Sequence, residues 1–304
     1  MRTFGKDFYI EDEPEGRTLF VTSDWSEEAA KAVLRDGIDG LALGYAHGFR
    51  ERDLRFLEGL PVRRLRVVAR TLNDLEPIYS LAPTLEKLLL VTGSSSRVDV
   101  ARLPELTDLE AGWGQIAETI HRAVKLESLY IEGYGERDLS PLLPIASLRH
   151  LVMKDRPYLE TFDGLEALER LESLEIFLAP RLRDFAGLWH APLSLRILDL
   201  GSCKGLTNLD FLAHVTGLVS LGIANCGLIE SLAPIAGSSN LVKLFAYEDT
   251  TIEDKDLSPL LKLPRFALLA MMNRRGYRPS TGEIKEAIAG RPGGDLLQGL
   301  SRFG

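Results

Sequence analysis

The stretch Leu195–Leu212, LRILDLGSCKGLTNLDFL, decides how the rest of the chain is read. Its first half sets Leu195, Leu198 and Leu200 ahead of a small residue, Cys203. The alternation Leu198-Asp199-Leu200 is that of a strand with one apolar and one polar face. The second half, Leu206-x-x-Leu209-x-x-Leu212, is too short for a full helix and predicts a tight helical or 3₁₀ turn. Twenty-three residues on, the pattern returns as LVSLGIANC from Leu218, and then as LVKLFAYED from Leu241.

Followed outward, the register predicts strand segments starting at Ile38, Val62, Leu85, Leu106, Leu126, Leu148, Leu171, Leu195, Leu218, Leu241 and Phe266. Successive starts lie 20 to 25 residues apart. Three places after every start stands a leucine: Leu41, Leu65, Leu88, Leu109, Leu129, Leu151, Leu174, Leu198, Leu221, Leu244 and Leu269. Two places further on the residue is always apolar, from Leu43 and Val67 through Met153 and Leu200 to Met271. With 55 leucines in 304 residues, fewer than one in five, chance does not fill a column without exception.

With this period and strand pattern the chain resembles the leucine-rich repeat family over about Ile38 to Met272. The return segments LNDLEPIYSL (Leu72–Leu81), RDLSPLLPIASL (Arg137–Leu148) and IESLAPIAGSSNL (Ile229–Leu241) resemble the bacterial internalin-type subclass. The resemblance implies an α/β fold, a right-handed leucine-rich repeat solenoid. A curved parallel β-sheet would form its concave face, with short helices, 3₁₀ turns and loops on the convex face. One feature departs from the family. Eight residues after each start, where the family places Asn or Cys, only Cys203 and Cys226 fit. The asparagine ladder is missing, which predicts irregular loops and uneven curvature.

Residues 1–37 read as an N-terminal cap, 38–279 as about eleven repeats, and 280–304 as a C-terminal helix and flexible tail. In the cap, Phe8–Ile10 and Thr18–Val21 are expected to pair across EDEPEG. Leu19 and Val21 also fit the repeat columns of a degenerate repeat. Asp24-Trp25-Ser26-Glu27 reads as a capping box for a helix to Arg35, stopped at Gly37. Gly114–Val124 predicts one convex helix, and Ser280-x-x-Glu283 caps another to Ala289. A solenoid of this length needs no division into domains, because each repeat buries its leucines against its neighbours. Charges in MRTFGKDFYIEDEPEG stand where a signal peptide needs an apolar run, and no run approaches the ~20 residues of a membrane span. A cytoplasmic monomer with two buried, reduced cysteines is the expectation.

No catalytic or metal-binding constellation emerges. The five histidines, His47, His121, His150, His190 and His214, are scattered without ligand spacing, and no phosphate loop follows a strand. The chain reads as a non-enzyme without cofactor or metal. A net charge of −8 opposes nucleic acid. Function is therefore sought on the positions two, four and six places after each start, which point away from the core. Candidate partner-binding residues are Arg64, Arg66, Asp108, Glu110, Trp113, Tyr130, Glu132, Tyr134, Lys154, Glu175, Phe177, Asp199, Phe245 and Tyr247. Trp113 and Tyr134 fall just past their strands, at the rim, and Trp113, Tyr130 and Glu132 are expected to share one patch. The acidic–aromatic mixture points to a basic protein partner. A small molecule or glycan on the same face is the alternative, weakened by the scarcity of Asn and Gln there. Should the concave face fail, the convex side around Trp189 and His190 is the next place to look.

Overall fold

Both apolar columns are buried. The eleven leucines of the first column are between 0% and 6% exposed, and the second column, Leu43 to Met271, matches it. The computed structural model that shows this describes residues 2–93 and 96–291, and the chain forms two units, residues 1–131 and 132–304.

The first unit starts with a hairpin edge. Strand β1 (Arg2–Phe4) pairs antiparallel with β2 (Phe8–Glu13), and β2 with β3 (Gly16–Val21). Strand β3 then runs parallel to β4 (Gly40–Gly44), Leu19 opposite Leu41 and Val21 opposite Leu43, so the hairpin enters the leucine columns in register. Between them, α1 (Glu27–Arg35) is capped by Ser26, whose hydroxyl accepts from the Ala29 N–H. Ala29 at the third helical position has no side chain to return that bond, so the cap is a single one rather than the expected box. Parallel pairing continues through β5 (Arg64–Ala69), β6 (Lys87–Thr92) and β7 (Asp108–Gly112), and β8 (Ser128–Glu132) reaches the boundary of the unit. The convex helix predicted over Gly114–Val124 shrinks to one turn, α2 (Trp113–Ile116), followed by a 3₁₀ turn at Ile120–Arg122. Ile120 is buried but Val124 is 66% exposed, so the helical spacing does not mark one continuous buried face.

In the second unit, strands β9 (His150–Lys154), β10 (Ser173–Ile176), β11 (Ile197–Asp199) and β12 (Ser220–Gly222) stack in parallel. After the short strand β13 (Leu228–Ile229), the ladder goes on to β14 (Lys243–Ala246); after β15 (Thr251–Ile252), it ends at β16 (Leu268–Met271). Strands β13 and β15 pair in a small second sheet. The opening stretch folds as read, strand Ile197–Asp199 followed by a 3₁₀ turn at Asp210–Ala213. Helix α3 (Thr281–Ile288) begins with the full Ser280–Glu283 capping box and ends at Ala289. Of the tail read as flexible, all but Arg291 lies outside the described residues. The result is a leucine-rich repeat fold, with one strand and one return segment per period.

The loops of this unit are more regular than the missing ladder predicts. Seven places after each start from Leu126 to Leu241, the chain leaves the strand through a left-handed residue: Gly133, Asp155, Leu178, Ser202, Asn225 and Glu248, at φ between 55° and 64°. Glycine adopts this freely and the others at a cost of about 1–2 kcal/mol. Hydrogen bonds offset that cost. The N–H groups of Leu178, Ser202 and Asn225 donate to Gly201, Ala224 and Tyr247 of the next repeat, at 2.9, 2.8 and 3.1 Å. One step further on, the Cys226 thiol donates to the Leu200 carbonyl at 3.0 Å and the Cys203 thiol lies 3.6 Å from that of Ile176. In the next repeat Thr250, one position later, donates to the Ile223 carbonyl at 2.6 Å. Burial pushes the thiols up to about 12 for Cys203 and about 11 for Cys226.

Candidate partner-binding surface

Two expected contact residues of the first unit serve the fold instead. The Arg64 side chain is only 8% exposed and is paired with Glu13 at 3.3 Å and Asp39 at 2.7 Å. Arg66 meets the other oxygen of Glu13 at 2.8 Å, and the Thr18 hydroxyl donates to Glu13 at 2.6 Å. Lys87 bridges Glu15 and Asp108, at 2.7 and 3.4 Å. The hairpin turn thus lays Glu13 and Glu15 over the basic strand positions and neutralises them. Burial disfavours the charge on Glu13, but the bonds from Thr18 and Arg66 and the charges of Arg66 and Arg64 outweigh it and hold this carboxyl below its usual range.

Trp113 and Tyr134 are not at a rim. Trp113 is 6% exposed, because α2 starts directly after Gly112 and carries the indole inward. Tyr134 is 1% exposed; its hydroxyl donates to the Asp138 carbonyl at 2.7 Å, and burial pushes its phenol up. Neither ring can anchor a partner without unfolding its loop, and the patch expected around Trp113 loses its centre. Asp108, Glu110 and Tyr130 are half-buried on their strands, and Glu132 is exposed.

The second unit keeps its candidate residues together. Strand register sets Glu175 opposite Asp199, Asp199 opposite Gly222, and Gly222 opposite Phe245. A Cβ on Gly222 would lie 2.3 Å from the Asp199 carboxyl carbon, and one on Gly201 would lie 2.7 Å from the Phe177 ring. Each side chain therefore leans over a glycine of the following repeat. The outcome is a pocket of about 200 Å³ lined by Phe177, Asp199, Gly201, Ala224, Phe245 and Tyr247, with Ser202, Asn225 and Glu248 from the left-handed loop row. Phe245 and Tyr247 meet edge to face, centroids 6.2 Å apart. The ammonium groups of Lys154 and Lys243 stand over the rings of Phe177 and Phe245, at 5.2 and 3.9 Å.

Electrostatics single out Asp199. Burial first, then the like charge of Glu175, pushes its carboxyl up to about 6, against the opposing pull of the Gly201 N–H, Lys243 and Lys154. Its Oδ1 is buried and makes no hydrogen bond of ordinary geometry. Burial raises Glu175 too, although the Ser173 hydroxyl donates to it at 3.1 Å and Lys154 and Lys243 favour its charge. Burial likewise lowers Lys243. The pocket holds ionisable groups whose charges are poorly solvated, an arrangement that favours a guest able to donate to Asp199.

Gly201, Gly222, Ala224 and the row of Ser202, Asn225 and Glu248 were missed in the sequence. Small residues at face positions were the available signal for the first three. On the other side of the repeats, half-exposed Trp189 stacks on His214 with centroids 4.9 Å apart. Among the described residues no group of three or more His, Cys, Asp or Glu is placed to hold a metal ion, and no helix is long and apolar enough to cross a membrane.

No protein-family model and no curated protein matches the chain. Among solved structures it is similar to an internalin (inlF) of Listeria monocytogenes, 22% identical with a TM-score of 0.49, over 69% of this chain and 66% of that one. It is also similar to internalin C2 (inlC2) of the same organism, 24% identical with a TM-score of 0.46, over 59% of this chain and 78% of that one. The chain thus spans just under two thirds of the first of these.

Proposed function

We propose that this chain is a protein-binding repeat module. Its docking face is the strand face of the second unit that carries Phe177, Asp199, Phe245 and Tyr247, and its partner presents a basic surface. The observation that carries this reading is the pocket itself, three aromatic side chains around a buried carboxylate with an unpartnered oxygen. Aromatic side chains on an open sheet face are costly to hydrate and serve as interface anchors. An incoming cation would favour the ionised form of Asp199 and Glu175, which burial disfavours. A net charge of −8 would speed encounter with a basic surface.

The glycan alternative draws less support. Asn225, the pocket's amide, already donates to the Ser202 hydroxyl at 2.9 Å and accepts from Lys204 at 3.0 Å, so little of it is left for sugar hydroxyls. The test is a panel of labelled peptides, rich in Arg and Lys, rich in Glu, or neutral, titrated against the whole chain alongside a glycan array. Basic peptides should bind selectively and more weakly as salt rises. Phe245→Ala and Tyr247→Ala should each weaken them about tenfold or more, with an unchanged circular dichroism spectrum. Selective binding of neutral sugars, or of acidic peptides, would refute the reading.

A further inference from the structure

We infer that the pocket between Phe177 and Tyr247 is a socket for a single arginine side chain of the partner, its guanidinium set against Asp199. This deepens the protein-binding reading and rests on it. Three features select a guanidinium. Gly201 and Ala224 line the pocket beside the Asp199 carboxylate, which itself lies over Gly222, so a guest in the pocket reaches the carboxylate while its Oδ1 is covered by the chain. That oxygen makes no hydrogen bond of ordinary geometry, the Gly201 N–H being the chain's own donor beside the carboxylate, and a guanidinium supplies several donors in one plane. The walls are aromatic, and a flat, weakly hydrated cation stacks on such rings better than a compact ammonium does.

The two lysines support this and set its limits. Lys154 and Lys243 show that Phe177 and Phe245 already accept cations on their faces in the chain by itself. Burial disfavours the Lys243 charge, so a guest whose charge survives burial has an advantage over it. Glu175 stands directly across from Asp199, and Glu248 lines the pocket from the loop row, so the site holds more carboxylates than the two lysines neutralise. The charged groups facing Asp199 are then Glu175 on β10, Lys154 from β9 and Lys243 on β14. Protonating Asp199 removes the negative charge that a guanidinium would pair with, so capture should weaken in mild acid.

The probes are acetyl-Gly-Arg-Gly-amide and its lysine and citrulline counterparts, titrated against the whole chain by NMR and calorimetry, with an arginine-rich peptide of about ten residues beside them. Citrulline keeps the shape and hydrogen-bonding plane and removes the charge. Expected are binding of the arginine tripeptide with shifts at Phe177, Phe245 and Tyr247, at least tenfold weaker binding of the citrulline form, and weaker binding of the lysine form. Asp199→Asn should lose about tenfold for the arginine form. Wild type should lose at least fivefold between about pH 8 and pH 5, and Asp199→Asn should not. Should basic peptides bind while the citrulline exchange and Asp199→Asn leave affinity unchanged, the socket is wrong and the docking face stands. If no basic peptide binds at all, both readings fall.

Discussion

Asp199→Asn should make the protein more stable at neutral and alkaline pH. In the folded chain burial and the charge of Glu175 push this carboxyl up from 3.8 to about 6. A shift of roughly two units corresponds to about 3 kcal/mol between the protonation states, an upper figure because part of the side chain remains in contact with water. The sign follows from proton counting. Between pH 3.8 and about 6 the folded state binds more protons at this site than the unfolded state, so the contribution of Asp199 to stability falls as pH rises through that window. Below it both states are protonated and the penalty is gone; above it the penalty is complete. An asparagine carries no charge to desolvate. In urea unfolding, the variant should gain about 1–3 kcal/mol over wild type at about pH 8, and the gain should close as pH falls towards about 4. The readout is the difference between the two pH values, which cancels any constant effect of amide against acid. A gain of the same size at both pH values, or wild type rising in relative stability with pH, would refute the burial of a carboxylate at this position.

Leu198→Ala should cost about 2–5 kcal/mol in the same assay, since a fully buried leucine leaves a cavity between stacked repeats; a loss under about 0.5 kcal/mol would contradict the strand register. Glu13→Gln should destabilise by about 1–3 kcal/mol at neutral pH, because buried Arg64 loses a partner. As the fold holds Glu13 below its usual range, its contribution is present above the usual carboxylate range and fades in acid, the opposite sense to Asp199. Gly222→Ala should destabilise by about 1–3 kcal/mol through collision with the Asp199 carboxyl, and Asp199→Ala in the same chain should restore much of the loss in a double-mutant cycle. Cys203 and Cys226, buried and free of disulfide, should react with a thiol reagent only after denaturation; rapid labelling of the native chain would contradict the packing.

A repeat writes its core once per period, and burial of a leucine against its neighbours needs no information from far along the chain. The columns Leu41–Leu269 and Leu43–Met271, the strand register and the Ser280 cap were therefore legible in order along the sequence. The face row Glu175, Asp199 and Phe245 followed from the same count. What each face residue is available for did not follow. Arg64 and Arg66 read as open cations until Glu13, 51 and 53 residues away, is folded onto them. Trp113 read as a rim aromatic because nothing local tells whether the chain leaves its strand outward or turns inward into α2. The left-handed row hides for a similar reason. Gly133, Asp155 and Asn225 are residue types that advertise that backbone conformation, while Leu178 adopts it with its N–H donating to the Gly201 carbonyl of the next repeat. The Asp199 pocket also lies beyond a one-dimensional reading, since it is made by what Gly201 and Ala224 lack and by the room Gly222 leaves for the Asp199 carboxylate. Its strained carboxylate exists only once Glu175 is set beside it on a neighbouring strand, in surroundings that keep water away.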